Sequence, residues 1–170
     1  MFASHICLKM KIKISASLGL GGRDYIEDFV QVKVLKSTDR AQIKYVYLGV
    51  FDGHGGFHAA QYAKENLLHE ITRRSRFWST NDSDVLAAIK EGFLSTNNRM
   101  REVADSWPKT VFGRPSTSGT TATAVFIRNG RVFVGYVGDS SAVCGIFNHL
   151  SEQKDVIADL MTKEVSDIRP

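Results

Sequence analysis

Metal-assisted chemistry needs oxygen donors gathered in one place, and two short acidic runs in this chain are set to provide them. Glu27-Asp28 lies beside one alternating apolar segment, and Phe51-Asp52-Gly53-His54-Gly55-Gly56 closes another. If the two segments pair, their carboxylates arrive at one end of a sheet. Mg²⁺ and Mn²⁺ take one or two carboxylates, an occasional backbone carbonyl and several retained waters. A strand end followed by glycine supplies that set, so a metal-dependent hydrolase is the first reading.

The elements that must position these residues read as strands, then helices, then strands again. Lys11 to Leu20 alternates as a strand, and Phe29 to Leu35 places Val30, Val32 and Val34 on one face. Ile43 to Phe51, rich in β-branched and aromatic residues, is the expected hairpin partner across the polar loop Lys36 to Gln42. Ala60, Ala63, Leu67 and Ile71 recur at helical spacing within a helix from about Phe57 to Arg73. Val85, Leu86, Ile89, Phe93 and Met100 define a second helix, with Asp82 or Ser83 as its N-terminal cap. Ser106 to Ser118, carrying Pro108, Gly113 and Pro115, reads as a long loop of a kind that is often functional. Thr121 to Arg128 and Arg131 to Val137 flank Asn129-Gly130, the type I′ hairpin signal, and Ser141 to Phe147 is a third run. Consecutive apolar residues from Ala124 to Ile127, and most of those from Val132 to Val137, predict strands covered on both faces. Antiparallel sheet packed on sheet, with helices outside, is the architecture this favours.

Composition narrows the function classes. At 170 residues the chain is one domain or part of a larger one. Its net charge is +4, but the basic residues are dispersed except for Arg73, Arg74, Arg76 and the alternation Lys9, Lys11, Lys13. Base-stacking aromatics are not interleaved with them, so a solvated face is expected rather than a nucleic-acid track. Cys7 and Cys144 are the only cysteines, too few for a disulfide framework, and Cys144 sits in an apolar run as a small hydrophobe. The N-terminal stretch is apolar only in short pieces broken by Lys9, Lys11 and Lys13, so neither a signal-peptide core nor a membrane span is expected. We expect a soluble intracellular protein of the nucleus and/or cytoplasm, with a basic N-terminus lacking acidic residues as the one pointer toward mitochondria.

Four runs occur in an order that carries a resemblance. Gly22-Arg23-Asp24-Tyr25-Ile26-Glu27-Asp28, Phe51-Asp52-Gly53-His54-Gly55-Gly56, Ser118-Gly119-Thr120-Thr121-Ala122 and Val137-Gly138-Asp139-Ser140 together resemble the type 2C metal-dependent protein serine/threonine phosphatases. Trp107-Pro108-Lys109-Thr110 and Pro115 to Thr121 look most like the delta-type branch. Taken singly, Asp52-Gly53 is a turn, His54 a loop histidine, Glu27-Asp28 surface charge, Arg23 its ion-pair partner and Asp139 a tight-turn residue. The ordered set carries more than its members.

The resemblance implies an α+β fold, an antiparallel β-sandwich flanked by helices in four α-β-β-α layers, with two Mn²⁺ or Mg²⁺ ions at one edge. By residue, it implies that Asp52 bridges the two ions, that Gly53 offers its backbone carbonyl, and that Asp28 contributes largely through water with Glu27 beside it. Arg23 matches the guanidinium that grips the substrate phosphate, and His54 the general acid that protonates the leaving alkoxide. Asp139 matches a ligand of a third metal position, and Thr121 a hydroxyl near it. The nucleophile is then solvent, and the substrates are phosphoserine and phosphothreonine proteins.

The family also uses two further aspartates in later Asp-Gly and Asp-Asn contexts. Here the only Asp-Gly is Asp52-Gly53 and Asp-Asn does not occur; Asp155, Asp159 and Asp167 lack matching neighbours. The reading is therefore the N-terminal portion of one catalytic domain over residues 12–170, incomplete at its C-terminal end, with 1–11 as an extension. As this truncated chain it is expected to be inactive, with a non-catalytic phosphoprotein-binding fragment as the alternative. Nothing in the sequence bears on the oligomeric state.

Overall fold

The structure, a computed structural model, describes residues 12–38 and 42–145. Among the described residues, six strands and two α-helices run in the order β1 (Phe29–Lys36), β2 (Ile43–Phe51), β3 (Gly53–His54), α1 (His58–Thr72), α2 (Asp82–Ala104), β4 (Gly119–Thr120), β5 (Ala122–Arg128) and β6 (Arg131–Val137). A 3₁₀ helix, Ser75–Trp78, joins the two α-helices. Four strands form one antiparallel sheet in the order β1-β2-β5-β6, while β3 and β4 pair as a separate short ladder. The antiparallel sheet flanked by helices is as expected.

Strand alternation decides which side chains meet the helices. Tyr45, Tyr47 and Phe51 of β2, with Ala122, Ala124 and Phe126 of β5, point to one face and are buried there. Against them lie Ala60, Ala63, Leu67 and Ile71 of α1 and Val85, Ala88, Ile89 and Phe93 of α2, all in one core cluster. The helices approach closely where side chains are small. A Cβ on Gly92 would collide with Ile71, and one on Gly135 would meet Ile89 and Phe93. The 3₁₀ helix is held beneath the core by Arg128, whose guanidinium donates to the carbonyls of Phe77 and Ser79.

Several sequence expectations need adjustment. Residues 12–20 join no ladder, so the strand expected from Lys11 to Leu20 is not formed among the described residues. Instead, Ile14 to Leu18 lie over the sheet face opposite the helices, beside Val30, Val32 and Leu48. Asn81, not Asp82 or Ser83, caps α2: its side chain accepts from the Ser83 N–H at 2.9 Å. Asx side chains cap two residues downstream, and the expected caps lie one and two positions beyond the observed one. The hairpin at Asn129-Gly130 has both residues at positive φ, 51° and 71°, as a type I′ turn requires. In the run Ser141 to Phe147, only Gly145 makes a bridge; Ile146 and Phe147 lie outside the described residues, as do the extension 1–11 and the tail aspartates. Among the described residues no helix is long and apolar enough to cross a membrane.

Candidate active site

The first acidic run, Glu27-Asp28, is held by backbone donors of the second. Asp28 stands immediately before β1, and β1 pairs with β2 so that Phe29 lies opposite Phe51. That register sets Asp28 beside the residues following β2. The Gly53 N–H donates to Asp28 Oδ1 at 3.2 Å, and the Gly56 N–H donates to Glu27 Oε1 at 2.6 Å. Gly53 is required by space, since a Cβ there would collide with the Glu27 carbonyl oxygen. Gly55 and Gly56 carry the chain into α1 at φ of 65° and 119°, backbone that β-carbon-bearing residues resist.

Asp52 is held by its backbone, and its carboxyl stands against that of Asp28. Its N–H donates to Thr121 Oγ1 at 3.3 Å, and its carbonyl accepts from the Thr121 N–H at 2.8 Å and the Thr120 hydroxyl at 3.1 Å. Thr121 Oγ1 also shares a 2.9 Å hydrogen bond with Ser140 Oγ, which ties the Gly138-Asp139-Ser140 turn to the same place. Partial desolvation raises the Asp52 carboxyl above its ordinary range. The charges of Asp28 and Asp139 and a hydrogen bond with Asp28 raise it further, while His54 opposes them. Asp28, Asp52 and Ser140 border a cavity of about 380 Å³.

The structure thus brings together Asp28, Asp52, Gly53, His54, Thr121 and Asp139, with Glu27 fixing the loop behind them. Arg23 is not joined to them. It sits exposed in the turn at 21–25, bonded through its N–H to the Leu20 carbonyl at 3.3 Å, and makes no ion pair among the described residues.

Residues whose individual roles the sequence left unread also shape the site. Ser118 Oγ donates to the Gly56 carbonyl at 2.6 Å and accepts from the Ala59 N–H at 3.0 Å. It therefore caps α1 from across the fold, because Phe57 at the N-cap offers no side-chain bond. Gly119 gives the His54 imidazole its place: a Cβ there would fall on the ring. Both belong to the run Ser118-Gly119-Thr120-Thr121, whose composition marks them but whose spacing says nothing of these contacts.

The donor set fits a hard divalent ion held by one or two carboxylates and water. Carboxylates that repel one another at an open cavity are what a cation would neutralise. It is not a full protein cage, since no group of three or more His, Cys, Asp or Glu side chains poised for a metal occurs among the described residues.

Comparison with known proteins bears on the same residues. The family model for protein phosphatase 2C matches residues 18–159. A probable protein phosphatase 2C 45 from Oryza sativa subsp. japonica is 35% identical over 136 residues, covering 79% of this chain and 43% of that protein. A probable protein phosphatase 2C 59 from Arabidopsis thaliana is 33% identical, covering 79% of this chain and 39% of the relative. The chain therefore spans well under half the length of these curated relatives. Among solved structures, a serine-threonine phosphatase 2C from Toxoplasma gondii superposes with a TM-score of 0.62 at 18% identity, over 82% of this chain and 46% of that one. That likeness is one of fold.

Proposed function

The chain belongs to the protein phosphatase 2C family, and we propose that its described residues form one side of a metal-dependent phosphoserine/phosphothreonine hydrolysis site. The observation that most supports this reading is the meeting of Asp28 and Asp52 at the end of β1 and β2, within electrostatic reach of Asp139. Asp52, with Asp28 and the Gly53 carbonyl, would hold two Mg²⁺ or Mn²⁺ ions, and Asp139 a third. When bound, such ions supply Lewis-acid activation of a water and neutralise charge on the phosphoryl oxygens.

The chain's own residues have separate tasks. Arg23, exposed and making no ion pair among the described residues, would take a phosphate with its planar donor fork. His54, seated on Gly119, would give a proton to the departing serine or threonine oxygen. Glu27 and Thr121 would orient the backbone at Gly56 and Asp52. The delta-type assignment and placement in the nucleus or cytoplasm are part of the proposal and rest on sequence resemblance alone.

Two carboxylates and a carbonyl carry little charge for two divalent ions. We therefore expect weak Mn²⁺ binding by this chain and turnover far below that of a chain supplying the family's later aspartates. Calorimetric titration with Mn²⁺ should give heat that Asp52→Asn abolishes, and a version extended with those ligands should hydrolyse an aryl phosphate only with Asp52 present. Unchanged Mn²⁺ binding by Asp52→Asn would falsify the assignment. A second reading, phosphoprotein binding without hydrolysis, draws on an exposed Arg23, which makes no ion pair among the described residues, together with a partial ligand set elsewhere. It requires that Arg23→Ala weaken phosphopeptide binding measured without metal.

A further inference from the structure

Arg73-Arg74-Ser75-Arg76 is a basic run that the phosphatase chemistry leaves unused. It leads from the end of α1 through the 3₁₀ helix and, with Glu91 of α2, lines a surface cavity of about 320 Å³. Arg74 is pinned in place: Nη1 donates to Glu91 Oε2 at 3.2 Å, and Nη2 to the Glu91 carbonyl at 3.0 Å and Ser95 Oγ at 2.5 Å. Arg76 Nη1 takes the other Glu91 carboxylate oxygen at 3.1 Å. Arg73 pairs with Glu70 at 2.8 Å, but Glu70 is also taken by Arg99 at 3.2 Å.

Charge does not balance across this network. Four guanidinium groups share two carboxylates, an excess of two positive charges. The C-terminal end of α1 offsets about half a charge, which is too little to cancel it. Meanwhile Arg74 Nε is buried with no partner among the described residues, and the Arg73 and Arg76 side chains remain 42% and 59% exposed. Arg73 gives Nε and Nη2 to Glu70, and Arg74 gives Nη1 and Nη2 to Glu91 and Ser95, so the remaining donors of Arg73 and Arg76 are those that would meet a compact tetrahedral dianion at this opening.

The geometry favours a single dianion over a polyanion. A nucleic-acid backbone is bound by a series of cations along a track, with aromatic rings available for stacking. Here three arginines meet at one cavity, and the neighbouring Trp78 ring is engaged by Phe77 and Tyr45, with its Nε1 donating to the Thr72 carbonyl.

We propose that the cavity bordered by Arg73, Arg74, Ser75, Arg76 and Glu91 is an exosite for a phosphoserine or phosphothreonine side chain of a protein partner. It is distinct from the candidate metal centre. The two lie at opposite ends of α1, whose 15 residues span roughly 20 Å. Binding here needs neither metal nor hydrolysis, so it goes beyond the proposed function and stands or falls separately.

The test is an NMR titration of the whole chain in EDTA with a seven-residue peptide carrying one phosphoserine among glycine and alanine. The amides of Ser75, Arg76 and Glu91 should shift on addition. Combining Arg73→Gln with Arg76→Gln should weaken binding about tenfold or more, the loss of two charge-assisted contacts. Glu91→Gln should tighten it by removing a competing carboxylate. If the double variant loses its fold, Glu91→Gln alone carries the test. Shifts confined to Arg23 and Asp52 to Gly55, or unchanged affinity in these variants, would overturn the proposal. So would equal or tighter binding of inorganic phosphate, the unphosphorylated peptide or an RNA oligonucleotide.

Discussion

At the scale of single residues, the site is built as much by absent side chains as by reactive ones. His54 can lie where it does because Gly119 has no Cβ, and Asp28 meets the Gly53 N–H because nothing projects from Gly53 toward Glu27. Gly119→Ala should therefore push the imidazole out of place and destabilise the fold by about 1–3 kcal/mol, the usual cost of forcing extra volume into a packed position. Chemical denaturation reads the second effect and the His54 ring resonances the first; an undisturbed ring would mean the two do not touch. Acidic and glycine residues were legible in the sequence because they recur as an ordered set of runs, each ordinary by itself at a strand end. The contacts of Ser118 and Ser140 were not legible, although both stand in those runs, since a loop serine's partner lies far away in the chain.

At the scale of elements, local signals and long-range contacts divide the work unevenly. α2 carries its own cap in Asn81, whereas the N-cap of α1, Phe57, offers no side-chain bond and the helix borrows Ser118, 59 residues beyond the Ala59 amide it accepts from. Ser118→Ala should cost about 0.5–2 kcal/mol, as loss of a cap does, and hydrogen exchange should speed up selectively at Ala59 and its neighbours in the first turn of α1. Uniform protection would show that the cap is not used. The helix pair offers a test in which two effects compete. Gly92→Ala gains up to about 1 kcal/mol of helix propensity, but its methyl would enter the Ile71 side chain and backbone, an overpacking cost of about 1–3 kcal/mol. Packing should win, so the variant should unfold at lower denaturant than the parent. The type I′ hairpin and both helices were legible because turn chemistry and apolar period are properties of neighbours. The 3₁₀ helix was not, because its hold on the fold comes from Arg128 on a strand far along the chain.

At the scale of the whole molecule, one helix-facing core holds the described residues together. Phe126 sits at its centre, wholly buried, with ring contacts to Tyr45, Tyr47 and Phe77. Phe126→Ala should cost about 3–5 kcal/mol, a large fraction of the 5–15 kcal/mol that domains possess, and should show as loss of cooperative thermal unfolding near physiological temperature. The opposite sheet face is apolar but partly open: Val32 is 40% exposed, and Val34, Val50 and Val132 are each 44% exposed. Sequence alone determined the alternation of strands, the two helical stripes, the order of the acidic and glycine motifs and, through them, the family, because each depends on residue type and near-neighbour spacing. Only the tertiary structure decided that Asp28 and Asp52 meet, that Thr121 clasps Asp52, that residues 12–20 join no ladder, and that Arg23 stands apart from the carboxylates. The meeting of Asp28 with Asp52 and the Thr121 clasp depend on the register of β1 against β2 and β2 against β5, which unites residues tens of positions apart and leaves no trace in local periodicity.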